Sequence, residues 1–168
     1  MRNFINKTAR VIGVISDTHG LLRAEAVNAM RGVDLILHAG DIGSREVLDK
    51  LKSIAPVVAI RGNNDNKEWA ERLPDSCVLK LGSAQIYMLH NLKEIELNPP
   101  TSNIRVVISG HSHKPCVEVR DGVTYLNPGS AGPRRFKLPV SVGRLEFIES
   151  LSGYANCEVR AKVIELCV

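Results

Sequence analysis

The stretch VIGVIS at residues 11 to 16, followed at once by DTHG at 17 to 20, decides how this chain is read. It is short, rich in valine and isoleucine and shows little alternation, the pattern of a strand covered on both faces. Three further runs share that pattern: LILHAG at 35 to 40, PVVAI at 56 to 60 and RVVIS at 105 to 109. Helical segments separate the first three. Residues 22 to 31 place Leu22, Ala26, Ala29 and Met30 on one face, and residues 45 to 54 do the same with Val47, Leu48, Leu51 and Ile54. Ser44 is placed to cap the second helix and Pro56 to stop it. Strand, helix, strand, helix, strand predicts a parallel βαβαβ core with right-handed crossovers.

From residue 76 the pattern changes. CVLKLGSAQIYMLH, PCVEVRDGVTYLN, VSVGRLEFIE and CEVRAKVIEL read as strands in hairpins, with Asp121-Gly122 as a two-residue turn. The last of these alternates cleanly, so one of its faces should meet a core. Asn98-Pro99-Pro100 reads as a surface loop.

At 168 residues, 44% apolar and 24% charged, the chain suits one domain spanning residues 1–168 with one sizeable core. The net charge of +4 comes from 22 lysines and arginines against 18 acidic residues scattered along the chain, which argues against a nucleic-acid surface. No apolar run approaches the ~18 residues of a membrane span. The opening MRNFINKTAR lacks the apolar segment of an export signal, so the expected compartment is the cytoplasm. Cys77, Cys116, Cys157 and Cys167 contain no C-x-x-C pair and are expected to be buried thiols, neither a disulfide framework nor a zinc site.

Each apolar run ends in residues of metal-binding type. They are Asp17 and His19, then Asp41, then Asn63, Asn64 and Asp65, then His90, and last His111 and His113 in GHSH. Parallel strands put their carboxyl ends on one edge of the sheet, where open α/β folds bind ligands. If the chain leaves the strand extended, residues i and i+2 point the same way, so Asp17 with His19 and His111 with His113 would approach a common centre. Gly20, Gly40, Gly62 and Gly110 would permit the crowding. A single aspartate or histidine here would read as a cap, a turn former or a core residue. Four of five histidines at such ends read as a metal centre. His38, inside its strand, reads as a core residue or as a hydrogen-bond partner that orients ligands.

The ordered set D-x-H, GD, GN-x-D, H and GH-x-H, between Val11 and Phe147, resembles the calcineurin-like metallophosphoesterase superfamily, and within it the small bacterial and archaeal phosphodiesterases. The resemblance implies a four-layer α/β/β/α sandwich of two mixed β-sheets flanked by helices. It also implies two divalent transition-metal ions, one held by Asp17, His19 and His113, the other by Asn63, His90 and His111, with Asp41 between them. A nitrogen and oxygen donor set without thiolate suits Mn²⁺, Fe²⁺, Co²⁺, Ni²⁺ or Zn²⁺ better than Ca²⁺ or Mg²⁺, and Mn²⁺ is the expected ion among them. The chemistry implied is phosphodiester hydrolysis by a hydroxide bridging the two ions. No G-x-S-x-G elbow, C-x₅-R loop or Walker-type loop offers a different route.

Asn64 is assigned a catalytic and substrate-binding role, because many phosphomonoesterases of the superfamily carry histidine at this position. An amide donates a hydrogen bond but cannot deliver a proton, which favours diesters over monoesters. The expected partner is a small phosphodiester, nucleotides included, and the sequence leaves room for a homo-oligomer. Asn91 stands where the family has glycine, and the segment from His90 to Arg105 is short and proline-broken, which bears on the rim of the site. NPGS at 127 to 130 matches a family loop near the site and equally a plain turn. Two alternatives stand beside the diesterase: a phosphomonoesterase or phosphoprotein phosphatase, and a non-catalytic scaffold like the retromer subunit that resembles this family.

Overall fold

Strands that are apolar on both faces need cover on both sides, and two stacked sheets with helices outside provide it. The computed structural model describes residues 2–5, 9–81, 84–150 and 153–168. The chain runs β1 (Arg2–Ile5), β2 (Val11–Ile15), α1 (Ala24–Ala29), β3 (Leu35–His38), α2 (Arg45–Lys52), β4 (Val57–Ala59), β5 (Ser76–Leu81) and β6 (Ala84–Leu89). It continues through β7 (Ile104–Ile108), β8 (Cys116–Arg120), β9 (Val123–Asn127), β10 (Ser141–Ser150) and β11 (Gly153–Glu165), with 3₁₀ turns at Glu68–Ala70, Leu92–Glu94 and Pro99–Ser102.

One sheet has the order β11-β10-β2-β3-β4, the other β1-β5-β6-β7-β9-β8. Both are mixed. In the first, β2, β3 and β4 are parallel, as the βαβαβ pattern predicts, while β10 and β11 form an antiparallel hairpin at its edge. In the second, β6, β7 and β9 are parallel, and β5–β6 and β8–β9 are hairpins. The β8–β9 turn is Asp121-Gly122, with positive φ at both residues, the geometry of a type I′ hairpin turn.

The main core lies between the sheets, where Ile12, Val14, Leu35 and Leu37 meet Leu79, Ile86, Met88 and Ile108. Val159, Ala161 and Val163, the apolar face of the alternating β11, pack against it. Ile15 and Ile36 point the other way, toward Ala26 and Met30 and toward Val47 and Leu51 of α2. On the outer side of the second sheet Val78, Tyr87 and Val107 are covered by Leu92, Ile95 and Leu97. The fourth layer is therefore built around 3₁₀ turns, as the proline-broken sequence there suggests.

Two local expectations are corrected, and one pairing is new. Ser44 occupies the N-cap position of α2, but its side chain makes no capping hydrogen bond. Cys77 is a buried free thiol, whereas Cys116 and Cys167 are exposed, because β8 is an edge strand and Cys167 follows the end of β11; the side chain of Cys157 lies outside the described residues. The parallel pairing of β1 with β5 was not legible in a four-residue strand with polar flanks.

Leu37 is 1% exposed at the centre of the inter-sheet core. Leu37→Ala is expected to cost about 3 kcal/mol, read from the denaturation midpoint at constant m-value.

Candidate active site

The parallel strands of both sheets end on the same side of the molecule, and the loops that follow are tied together by backbone hydrogen bonds. Asp17 N–H donates to the Gly40 carbonyl (3.0 Å), His19 N–H to Asp41 (2.9 Å) and Gly110 N–H to His90 (2.9 Å). The sheets meet where His111 N–H donates to Asp17 Oδ2 at 3.1 Å.

The paired ligand spacing works differently from an extended strand end. Asp17, His19, Asp41, His111 and His113 all have positive φ, from 46° to 64°. Left-handed backbone costs a residue with a Cβ roughly 1–2 kcal/mol, so the turns that converge these side chains are strained. The same turns bring backbone close to carboxylate. A side chain on Gly62 would collide with Asp41, and one on Gly110 with Ser16 and Asp17.

Asp17 Oδ1 lies 3.2 Å from His113 Nε2 and 4.0 Å from His19 Nε2, and the two imidazoles stack at 5.3 Å. Asp41 Oδ2 lies 3.4 Å from His90 Nε2 and 3.9 Å from His19 Nε2. His111 Nδ1 and Asn63 Oδ1 are 3.0 Å apart, and the His111 ring meets that of His90 edge-on at 5.3 Å. Asn64, at the exposed rim, donates from its backbone N–H to Asp41 Oδ1 (2.9 Å) and from its amide to Asp41 Oδ2 (2.6 Å). Eight of the nine polar residues found at strand ends in the sequence thus fall in one cluster. Asp65 does not join it; its carboxylate accepts from the N–H groups of Ile42, Gly43 and Gly62 and holds the neighbouring loops.

Four buried atoms of this cluster have no hydrogen-bond partner: Asp17 Oδ1, His19 Nε2, His90 Nε2 and His113 Nδ1. Leaving such atoms unmet is costly, and a cation answers it. Among the described residues, Asp17, His19 and His113 form one group and Asp17, Asp41 and His90 another, each with donor atoms within 4.8 Å of one another. These oxygen and nitrogen donors fit divalent cations.

The electrostatics agree. Burial pushes the Asp17 carboxyl up to about 6, outweighing the hydrogen bond from Ser16 Oγ. Burial likewise pushes the His113 imidazole down to about 4, helped by the charge of Arg135, and lowers His19. Asp41 behaves oppositely: burial opposes ionisation, but His90 and the two Asn64 donors hold it well below the usual carboxylate range. His90 is burdened by burial too, yet the pull of Asp41 and its Nδ1 contact with the Ala39 carbonyl (2.7 Å) raise it.

His38 is a fully buried orienting residue. The Thr18 hydroxyl donates to the Ile42 carbonyl (2.9 Å) and so accepts from His38 Nε2 (2.9 Å), while Gly40 N–H donates to Nδ1 (3.3 Å). Both ring nitrogens are used, and the loop between Asp17 and His19 is pinned. The NPGS stretch acts as a brace: Asn127 Nδ2 donates to the Gly110 carbonyl (2.7 Å) and to Ser112 Oγ (3.1 Å), and Ser130 Oγ donates to the Asp17 carbonyl (3.0 Å). Sequence reading missed Ser16 and Arg135, and only the adjacency of Ser16 to Asp17 carried a signal for either.

Residues 11–150 match the calcineurin-like phosphoesterase superfamily domain, and the chain belongs to that superfamily. A probable metallophosphoesterase of Methanothermobacter thermautotrophicus is 38% identical over 134 residues, covering 71% of this chain and 76% of the relative. A phosphodiesterase of Methanocaldococcus jannaschii is 27% identical over 136 residues, 70% of this chain and 82% of its own. The structure of vacuolar protein sorting 29 from Cryptosporidium parvum shares the fold with a TM-score of 0.70 at 17% identity, over 94% of this chain and 98% of that one.

Burial holds the His38 imidazole down at about 3, against 6.5 when exposed. Between those values the unfolded chain binds a proton that the folded chain does not, so stability falls as pH is lowered through 6.5 toward 3. The slope from this one group is up to about 1.4 kcal/mol per pH unit. Urea midpoints of chelator-treated protein at pH 7 and pH 5 should show a shallower dependence for His38→Asn than for the parent.

Proposed function

We propose that residues 1–168 form one metal-dependent phosphoric diester hydrolase domain, in which Asp17, His19, His113, Asn63, His90 and His111 hold two divalent ions, Mn²⁺ foremost, with Asp41 shared between them. The observation that carries this reading is the convergence of Asp17, His19 and His113, and of Asp17, Asp41 and His90, with donor atoms within 4.8 Å of one another, in a cluster that leaves four buried polar atoms without a hydrogen bond. Similarity to relatives named metallophosphoesterase and phosphodiesterase supports it. Bound there, the ions would supply a nucleophile at neutral pH and offset charge developing on the phosphoryl oxygens.

The chain's own groups set the conditions for that chemistry. Asp41 stays ionised, so a negative charge lies at the middle of the site at working pH. The Ala39 carbonyl and the Thr18–His38 link fix the rings and loops that must not turn. Arg135, whose charge depresses His19 and His113, adds positive potential to the site and attracts anions. Asn64 reaches the centre from the exposed rim with a neutral donor. A phosphomonoester dianion, which brings more charge to neutralise, loses more than a singly charged diester when an amide stands where an imidazolium could. Our reading of the compartment is the cytoplasm; no described helix is long and apolar enough to cross a membrane.

The fold shared with vacuolar protein sorting 29 favours a second reading, an interaction scaffold without turnover. All seven proposed ligand positions here hold competent donors, which supports the hydrolase.

Chelator-stripped protein should lose turnover of bis(p-nitrophenyl) phosphate and regain it with Mn²⁺. Mn²⁺ should also raise the melting temperature, more at pH 8 than at pH 5, because below about 6 the Asp17 carboxyl keeps a proton that the ion must displace. Undiminished turnover by verified metal-free protein would overturn the reading, and equal Mn²⁺ stabilisation at both pH values would remove Asp17 from the ligand set.

The wild type should prefer bis(p-nitrophenyl) phosphate to p-nitrophenyl phosphate. Asn64→His should narrow that ratio by about a hundredfold, the low end of general-acid assistance, with metal content unchanged. An unchanged ratio would reduce Asn64 to a turn residue.

A further inference from the structure

Two clefts open from the site at His111 and Asn91, which line both. They differ in charge. The first, about 440 Å³, carries Asp75, Glu94 and Glu96 on its walls. Arg61, its one arginine or lysine among the described residues, is neutralised by bonding Asp75. The second, about 570 Å³, presents Lys93 and Lys114 over a floor of Leu92, Tyr125 and Leu126. Its one acid, Glu118, is paired to Arg120, whose guanidinium also lies 5.2 Å from the Tyr125 ring centre.

The divider is Asn91, the residue that replaces the family's glycine. Its Oδ1 accepts from Lys93 N–H (3.2 Å) and its Nδ2 donates to Glu94 Oε1 (2.8 Å), capping the 3₁₀ turn Leu92–Glu94. That turn sends Lys93 to one cleft and Glu94 to the other. A phosphodiester has two organic arms, and a site from which two oppositely charged clefts diverge treats them differently.

We propose that the clefts sort the substrate's two arms by charge: the Lys93–Lys114 cleft takes an aromatic arm bearing its own negative charge, such as a 5′-phosphorylated nucleoside, and the Glu94–Glu96 cleft takes an uncharged or cationic arm. The apolar floor receives the ring and the two lysines the extra phosphate, each through charge-assisted hydrogen bonds. An anionic group in the opposite cleft meets carboxylates and is rejected. The inference rests on the phosphodiesterase reading and names its substrate class.

The test uses the Mn²⁺-loaded protein and three dinucleotides: ApA, pApA with a 5′-phosphate on one arm, and pApAp with a phosphate on each. Sorting predicts that pApA exceeds ApA in kcat/KM by about tenfold, the effect of two exposed lysines on one phosphate. It also predicts that pApAp falls below pApA, whereas unselective attraction of anions would rank pApAp highest. The double substitution K93E/K114E should bring the pApA to ApA ratio to one or less, and Glu96→Lys should raise pApAp relative to pApA. Equal turnover of ApA and pApA, a higher rate for pApAp than for pApA, or a ratio unmoved by K93E/K114E overturns the sorting. Hydrolysis of bis(p-nitrophenyl) phosphate by the same preparations separates the two levels. If it proceeds while these trends are absent, only the sorting falls; if neither it nor any dinucleotide is hydrolysed, the diesterase reading falls and the sorting with it.

Discussion

The buried carboxylate of Asp17 joins the two sheets. Ser16 Oγ and His111 N–H both donate to Oδ2, at 2.6 and 3.1 Å, so a residue at the end of β2 is tied to one beyond β7. Oδ1 is left facing His19 and His113 with no hydrogen bond. A charge with half its donors missing is unfavourable in a desolvated place, which is why the carboxyl is pushed up to about 6. The fold holds it there nonetheless, because the sheets on either side leave the loop no other course. A cation completes the arrangement.

Asp41, a few ångströms away, shows how the same residue type is given an opposite character. Two donors from Asn64 and the neighbouring His90 keep it charged despite burial. Two carboxylates thus sit in one site with opposite tendencies toward protons: burial dominates at Asp17, whereas at Asp41 the nearby His90 and the Asn64 donors outweigh it. Rigid supports lie behind both. His38 uses both ring nitrogens to pin the Thr18 loop, and Asn127 holds the loop that carries His111 and His113.

Much of this was legible from the chain. Val11 to Ala59 spelled out the parallel strands and helices because strands buried on both faces must be apolar throughout, and the Asp121-Gly122 turn was marked by the residue types that tolerate positive φ. Eight of the nine polar residues grouped because strand ends in parallel sheets share an edge, and Asp65 instead ties the neighbouring loops. The reason given for the i, i+2 pairs was wrong, since the chain turns left-handed at Asp17, His19, His111 and His113 instead of staying extended, and residue type alone does not announce strain. Arg135 was illegible for another cause. It lies in a loop beyond β9, far along the chain from His19, and the long-range contacts of Ser130, Ala131 and Gly132 with the Ser16–Thr18 backbone bring that loop to the site. The four residues of β1 are too few to show a period, and the exposure of Cys116 depends on which strand becomes an edge.

The five left-handed residues carry a consequence for descent within the fold. Each is a place where glycine, or to a lesser degree asparagine, would relax the backbone, at roughly 1–2 kcal/mol apiece. Once selection for the metal lapses, drift at His19, Asp41, His111 and His113 relieves that strain, whereas Asp17 is still held by the tie its carboxylate makes between the sheets. A lineage of this architecture can therefore abandon its chemistry while its framework grows sturdier, leaving a surface free for recruitment to other purposes. The converse is that intact ligands at strained positions are maintained against a steady thermodynamic pull.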